Sequence, residues 1–147
     1  VIPGEIAPTY VVTDVVRGQW DPGTRNRRIQ ETARRDGRDT QQWLQQEPGS
    51  GGKDQALRFV GLLTGFAAYT ETADGDKVVR LEGFAAAAAS GFVYYVDGPW
   101  NTAWLDELFA FRGLPTDVDD QVDGTGGAFN VLARENMTAG GFRRLHT

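Results

Sequence analysis

Cysteine is absent from the 147 residues, so disulfides, thiolate metal sites and a cysteine nucleophile are all excluded. Histidine occurs once, as the penultimate residue His146, which leaves almost no room for serine–histidine or histidine–metal chemistry. Lysine is scarce: two lysines stand against 13 arginines, a bias towards guanidinium groups that grip phosphate in bidentate fashion. No apolar run approaches the roughly 18 residues needed to cross a bilayer, and the amino end lacks the basic, apolar and small-residue succession of a signal peptide. The sequence therefore predicts a protein that is neither membrane-inserted nor secreted. The chain opens at Val1 without an initiator methionine, as a fragment or a processed product would. If such a chain is catalytic, its carboxylates must carry most of the chemistry.

What is present suffices for one core. Apolar residues make up 40% of the chain before its 19 glycines are counted, and no repeat or long linker divides it. We expect one domain over residues 1–139 and a flexible tail, Gly140–Thr147. The formal charge of −5 argues against a uniformly basic nucleic-acid binder. Sign is segregated, however: seven arginines fall between Arg17 and Arg38, and four aspartates between Asp117 and Asp123. That separation suits a protein holding a polyanion on one surface and divalent cations on another, and equally a soluble protein with patchy charge.

Strand and helix signals alternate. Thr9–Val16 is β-branched and reads as a strand. Asp21-Pro22 opens a helix that Gly37 stops, over Pro22–Asp36, carrying most of the arginine cluster. Thr40–Gln46 reads as a strand running into the irregular stretch Glu47-Pro48-Gly49-Ser50-Gly51-Gly52, followed by a helix over Lys53–Leu63 and a strand over Phe66–Thr70. Asp76 caps a helix reaching Ala89, Phe92–Val96 is a strand, and Asn101 caps a further helix. The last helix starts near Asp119 and frays before Gly140-Gly141. This alternation predicts an α/β layered sheet.

The strongest local signal is Asp119-Asp120-Gln121-Val122-Asp123. Aspartates at i and i+3 share a helical face, so Asp120 and Asp123 can approach one ion, although acidic residues in a first turn also simply favour the helix dipole. Glu47 ends a strand before a glycine loop, where open α/β sheets gather their sites, and Gln45 lies on the same strand face. Gly49-Ser50-Gly51-Gly52-Lys53 fails as a nucleotide-hydrolysis loop on spacing, but its amides and Lys53 suit a DNA phosphate or a flexible connector. Arg25, Arg27, Arg28, Arg34 and Arg35 form either a solvated face or a phosphate-contacting one. Asp14, in mid-strand, reads as an ion-pair or hydrogen-bond residue.

Taken in order, several segments resemble the C-terminal nuclease domain of large terminase subunits, the DNA-packaging motors of tailed bacteriophages. They are Tyr10–Trp20, Gln46-Glu47-Pro48-Gly49-Ser50-Gly51-Gly52-Lys53, Gly75-Asp76-Lys77-Val78-Val79-Arg80, Gly98-Pro99-Trp100-Asn101, Leu105-Asp106-Glu107-Leu108 and Asp119–Asp123. The resemblance spans roughly Thr9 to Ala133. It implies an RNase H-like mixed sheet flanked by helices and an endonuclease that cuts concatemeric double-stranded viral DNA in the host cytoplasm. It also implies a two-ion Mg2+ or Mn2+ site held by Glu47, Asp120 and Asp123, and portal and small-terminase partners. The basic residues counted as DNA contacts are Lys53, Lys77, Arg80, Arg25 and Arg28. Four departures accompany it. None of Val1–Pro8 is an aspartate, where the family's first strand carries one; Gln45 stands at an acidic position, leaving Gln45 or Glu47 as the second ligand site; Val118 replaces a histidine; and no ATPase domain precedes the nuclease. Two alternatives stay open: a non-catalytic DNA-binding or motor-docking module derived from that nuclease, and another RNase H-like nuclease such as a resolvase.

Overall fold

The computed structural model describes residues 8–73 and 75–144. Its elements run β1 (Tyr10–Val12), α1 (Pro22–Asp36), β2 (Gln42–Gln46), α2 (Ser50–Leu62), β3 (Ala68–Thr72), α3 (Lys77–Ala89), β4 (Val93–Tyr95), α4 (Asn101–Ala110) and α5 (Asp120–Arg144). The protein is α/β, with five helices and two parallel sheets of two strands each among the described residues. Residues 1–7, which hold no aspartate to match the family's first strand, and His146 at the carboxyl end lie outside them. No helix among the described residues is long and apolar enough to cross a membrane. Contacts divide the chain into two compact units, Val1–Arg17 with Gly75–Thr147 and Gly18–Asp74.

In the Gly18–Asp74 unit, β2 and β3 pair in parallel with Trp43 opposite Tyr69, and α2 is the crossover that a parallel pair requires. The start of α1 obeys local chemistry. Pro22 fills its first position, the Asp21 carboxylate accepts the Thr24 amide at 3.0 Å, and the Thr24 hydroxyl donates to the same carboxylate at 2.6 Å. β2 starts two residues later than expected because Thr40 is drawn into a turn, its amide donating to Gly37 and its hydroxyl to the Asp36 carbonyl at 2.7 Å. β3 is likewise displaced, to Ala68–Thr72, because Gly65 at φ 91° and the Phe66 amide, bonded to the Leu63 carbonyl, form a turn first. The core is small, with Ala33, Ala56 and Leu63 buried, and the Trp43 and Tyr69 rings stack at 4.9 Å.

The glycine stretch departs from expectation. Ser50, Gly51 and Gly52 form the first turn of α2 instead of remaining irregular. Gly49, at φ 95°, reverses the chain, and Gly52 then sits so close to the Glu47 carbonyl that a Cβ would overlap it. Glycine at this position is thus a requirement of helix-to-strand approach.

In the other unit, β1 pairs in parallel with β4, Tyr10 opposite Val93 and Val12 opposite Tyr95. The ladder is shorter than the Thr9–Val16 signal because β4 offers only three residues. Asp76 caps α3, accepting the Val78 amide at 2.8 Å. Asn101 is the first residue of α4 and not its cap: its side chain spans the preceding turn, accepting from the Gly98 amide at 2.8 Å and donating to the Val96 carbonyl at 3.0 Å. α3 and α5 meet where Gly83 faces the Phe129 ring and Gly126 faces the Arg80 carbonyl, and the Asn130 amide donates to that same carbonyl at 2.9 Å. Aromatic rings link the elements: Tyr10 lies 4.6 Å from Phe129, Phe84 5.9 Å from Phe129, and Trp104 5.6 Å from Tyr95. α5 continues through Gly140 and Gly141 to Arg144, past the expected fraying point, since a helical glycine costs only about 1 kcal/mol relative to alanine.

Candidate metal and nucleic-acid site

α5 begins under a constraint that no local motif reveals. Glu107 on α4, 8% exposed, turns its carboxylate to the Gln121 amide, with both oxygens at 3.2 Å, and so occupies the positive end of the helix dipole. The Gln121 side chain donates in turn to the Ala103 carbonyl. Just before this turn, Asp117 accepts the amides of Arg112 at 2.7 Å and Leu114 at 3.0 Å, and those two bonds hold its carboxyl below the usual carboxylate range. The loop entering α5 is therefore set by two carboxylates that face backbone donors.

The acidic turn itself is neutralised from α3. Lys77 Nζ lies 2.7 Å from Asp119 Oδ2 and 3.0 Å from Asp123 Oδ2, while Arg80 Nη2 lies 3.2 Å from Asp123 Oδ1. Both oxygens of Asp123 thus accept from cations. The side chains of Asp119 and Asp123 keep 17% and 25% of their accessible surface, so the cluster is only partly wet. Helical spacing aligned Asp120 with Asp123, but the pair the fold assembles is Asp119 with Asp123, one full turn apart; Asp120 is exposed. Lys77 and Arg80, expected as DNA contacts, are turned onto these carboxylates. The signal for this lay in the Gly75–Arg80 segment, whose two cations, one helical turn apart on α3, are opposite in charge to the acidic turn.

The ammonium of Lys77 is held above its ordinary value of 10.5, first by the hydrogen bond to Asp119 and then by that to Asp123, with partial burial opposing. A raised folded-state value means that the stabilisation is complete below pH 10.5 and is lost as pH climbs through the higher folded value. Thermal melting followed above pH 10.5 should fall more steeply for the native chain than for Lys77→Met, which has no such proton to lose. Parallel curves would remove the bridge from the account.

The remaining candidates belong to the Gly18–Asp74 unit. Glu47 follows β2 and is exposed, Gln45 is half-buried, and Lys53 is exposed in the first turn of α2. Arg28 lies over the Trp20 ring at 5.7 Å and 4.0 Å from Glu31, and Arg25 is exposed. Among the described residues, no group of three or more histidine, aspartate or glutamate side chains is gathered closely enough to hold a metal ion. Comparison with protein-family models, curated proteins and solved structures returns no match.

Proposed function

We propose that this chain is the nuclease domain of a tailed-phage large terminase subunit, RNase H-like in fold, which cuts concatemeric double-stranded DNA in the host cytoplasm. The ordered set of segments from Thr9 to Ala133 supports this. So does one geometric observation, which carries the reading: the first turn of α5 and the residue before it bring two carboxylates, Asp119 and Asp123, around a single cation.

Carboxylate oxygens suit a hard divalent ion such as Mg2+ or Mn2+, which here would have to displace the Lys77 ammonium. By the resemblance Asp120 and Asp123 would hold the ion, with Asp119 beside Asp123 on the Lys77 ammonium. A bound ion supplies an activated water and neutralises the leaving oxygen of a phosphodiester, with no histidine required. For Asp123 to ligate, Lys77 must give up Oδ2, while Arg80 keeps Oδ1 and fixes the orientation of the carboxylate. Lys53, Arg25 and Arg28 remain as phosphate contacts. The portal and the small terminase subunit are the partners this reading implies.

The expected result is Mn2+-dependent nicking of supercoiled plasmid, reduced at least a hundredfold in Asp120→Asn and Asp123→Asn. Nicking that persists in both variants would refute the assignment. A second reading is favoured by the saturation of Asp123 with Lys77 and Arg80: a non-catalytic DNA-holding or motor-docking module derived from the nuclease. It requires duplex binding that weakens steeply with salt and no cleavage at any Mn2+ concentration.

A further inference from the structure

The Gly18–Asp74 unit has a cleft of about 570 Å3 between α1, α2 and β2, within the roughly 300–1,000 Å3 typical of small-ligand sites. Ile29, Leu44, Phe59 and Leu62 give it an apolar lining, and Arg25 and Arg58, both exposed, line the same space. Neither guanidinium has a hydrogen-bond or ion-pair partner among the described residues. The first turn of α2 reaches the cleft through Gly51 and contains no acidic side chain, and its cap, Gly49, offers no side-chain acceptor. Asp54 is the one carboxylate in the lining.

We infer that this cleft binds a nucleoside 5′-phosphate. The two free guanidiniums match a dianionic phosphomonoester, which a single carboxylate would leave half-paired. The apolar lining accepts the flat base. Asn26 and Gln55, also in the lining, offer amide donors and acceptors that suit a base edge and serve no purpose for an acyl chain. The same chemistry is presented by a free nucleotide and by the 5′-phosphorylated end of a DNA strand. The inference uses no metal and does not depend on the endonuclease reading.

Calorimetric titration of the whole chain in EDTA tests it, with five probes: deoxyadenosine monophosphate, deoxyadenosine, inorganic phosphate, and a DNA hairpin with and without a 5′-phosphate. The mononucleotide should bind at least tenfold more tightly than either of its halves. Arg25→Gln and Arg58→Gln should each weaken it about tenfold, whereas Arg34→Gln should not. A phosphorylated hairpin binding more tightly than the mononucleotide assigns the strand end as the source, and the reverse order assigns the free nucleotide. Equal affinity for deoxyadenosine and its phosphate, or undiminished binding in the Arg25→Gln/Arg58→Gln double variant, overturns the inference. Running without divalent ions keeps its failure separate from that of the plasmid-nicking assay.

Discussion

Trp104→Ala should lower the unfolding free energy by about 3–5 kcal/mol, the range for truncating a fully buried aromatic. Trp104 is 1% exposed and joins α4 to the rest of its unit through the rings of Phe84 at 6.5 Å, Tyr95 at 5.6 Å and Trp100 at 5.4 Å. Its indole N–H donates to the Thr125 hydroxyl at 2.9 Å, and that hydroxyl donates to the Gln121 carbonyl at 2.7 Å. Truncation therefore opens a cavity beside the turn where Glu107 caps α5, and the acidic cluster should loosen with it. Urea unfolding followed by far-UV circular dichroism measures the effect without relying on the lost fluorophore. A change below about 1 kcal/mol would mean that the ring is not the keystone its burial indicates. Trp104→Phe, which keeps most of the volume, should recover most of the loss.

Gly52→Ala should destabilise by about 3 kcal/mol, at the upper end of ordinary overpacking, because the added Cβ meets the Glu47 backbone and not a flexible side-chain end. Backbone cannot swing aside, so either the first turn of α2 unwinds or Glu47 moves. Gly61→Ala is the matched comparison. It lies inside the same helix, a Cβ there meets nothing within 4 Å, and the substitution should stabilise by up to about 1 kcal/mol. Opposite signs for one substitution type within one helix would establish that close approach, and not helix propensity, governs Gly52. If both variants melt together with the parent, the tight packing of Glu47 against α2 is absent in solution.

Local chemistry made much of the element order legible. Asp21-Pro22 and Gly37 bound α1 at Pro22–Asp36, and Asp76 starts α3, because a cap and a left-handed stop act within a few residues. Boundaries failed where a residue took a nearer partner: Thr40 bonded back to α1, and Gly65 spent two residues on a turn. Ser50-Gly51-Gly52 has little helix propensity of its own and enters α2 because Gly52 packs against the strand end at Glu47. Within the acidic stretch, the i, i+3 rule picked out Asp120 with Asp123 and passed over Asp119.

Composition and short-range pattern alone thus determined the alternation of strands and helices, the absence of cysteine, and the segregation of arginine from aspartate. Tertiary structure decided which charges meet. Lys77 and Arg80 reach Asp119 and Asp123 only because α3 packs along α5, and Glu107 caps Gln121 only because α4 folds back onto the same helix. Caps and turns involve neighbours a few bonds apart, whereas these pairings join side chains from separate elements, whose meeting depends on which helix faces share a core.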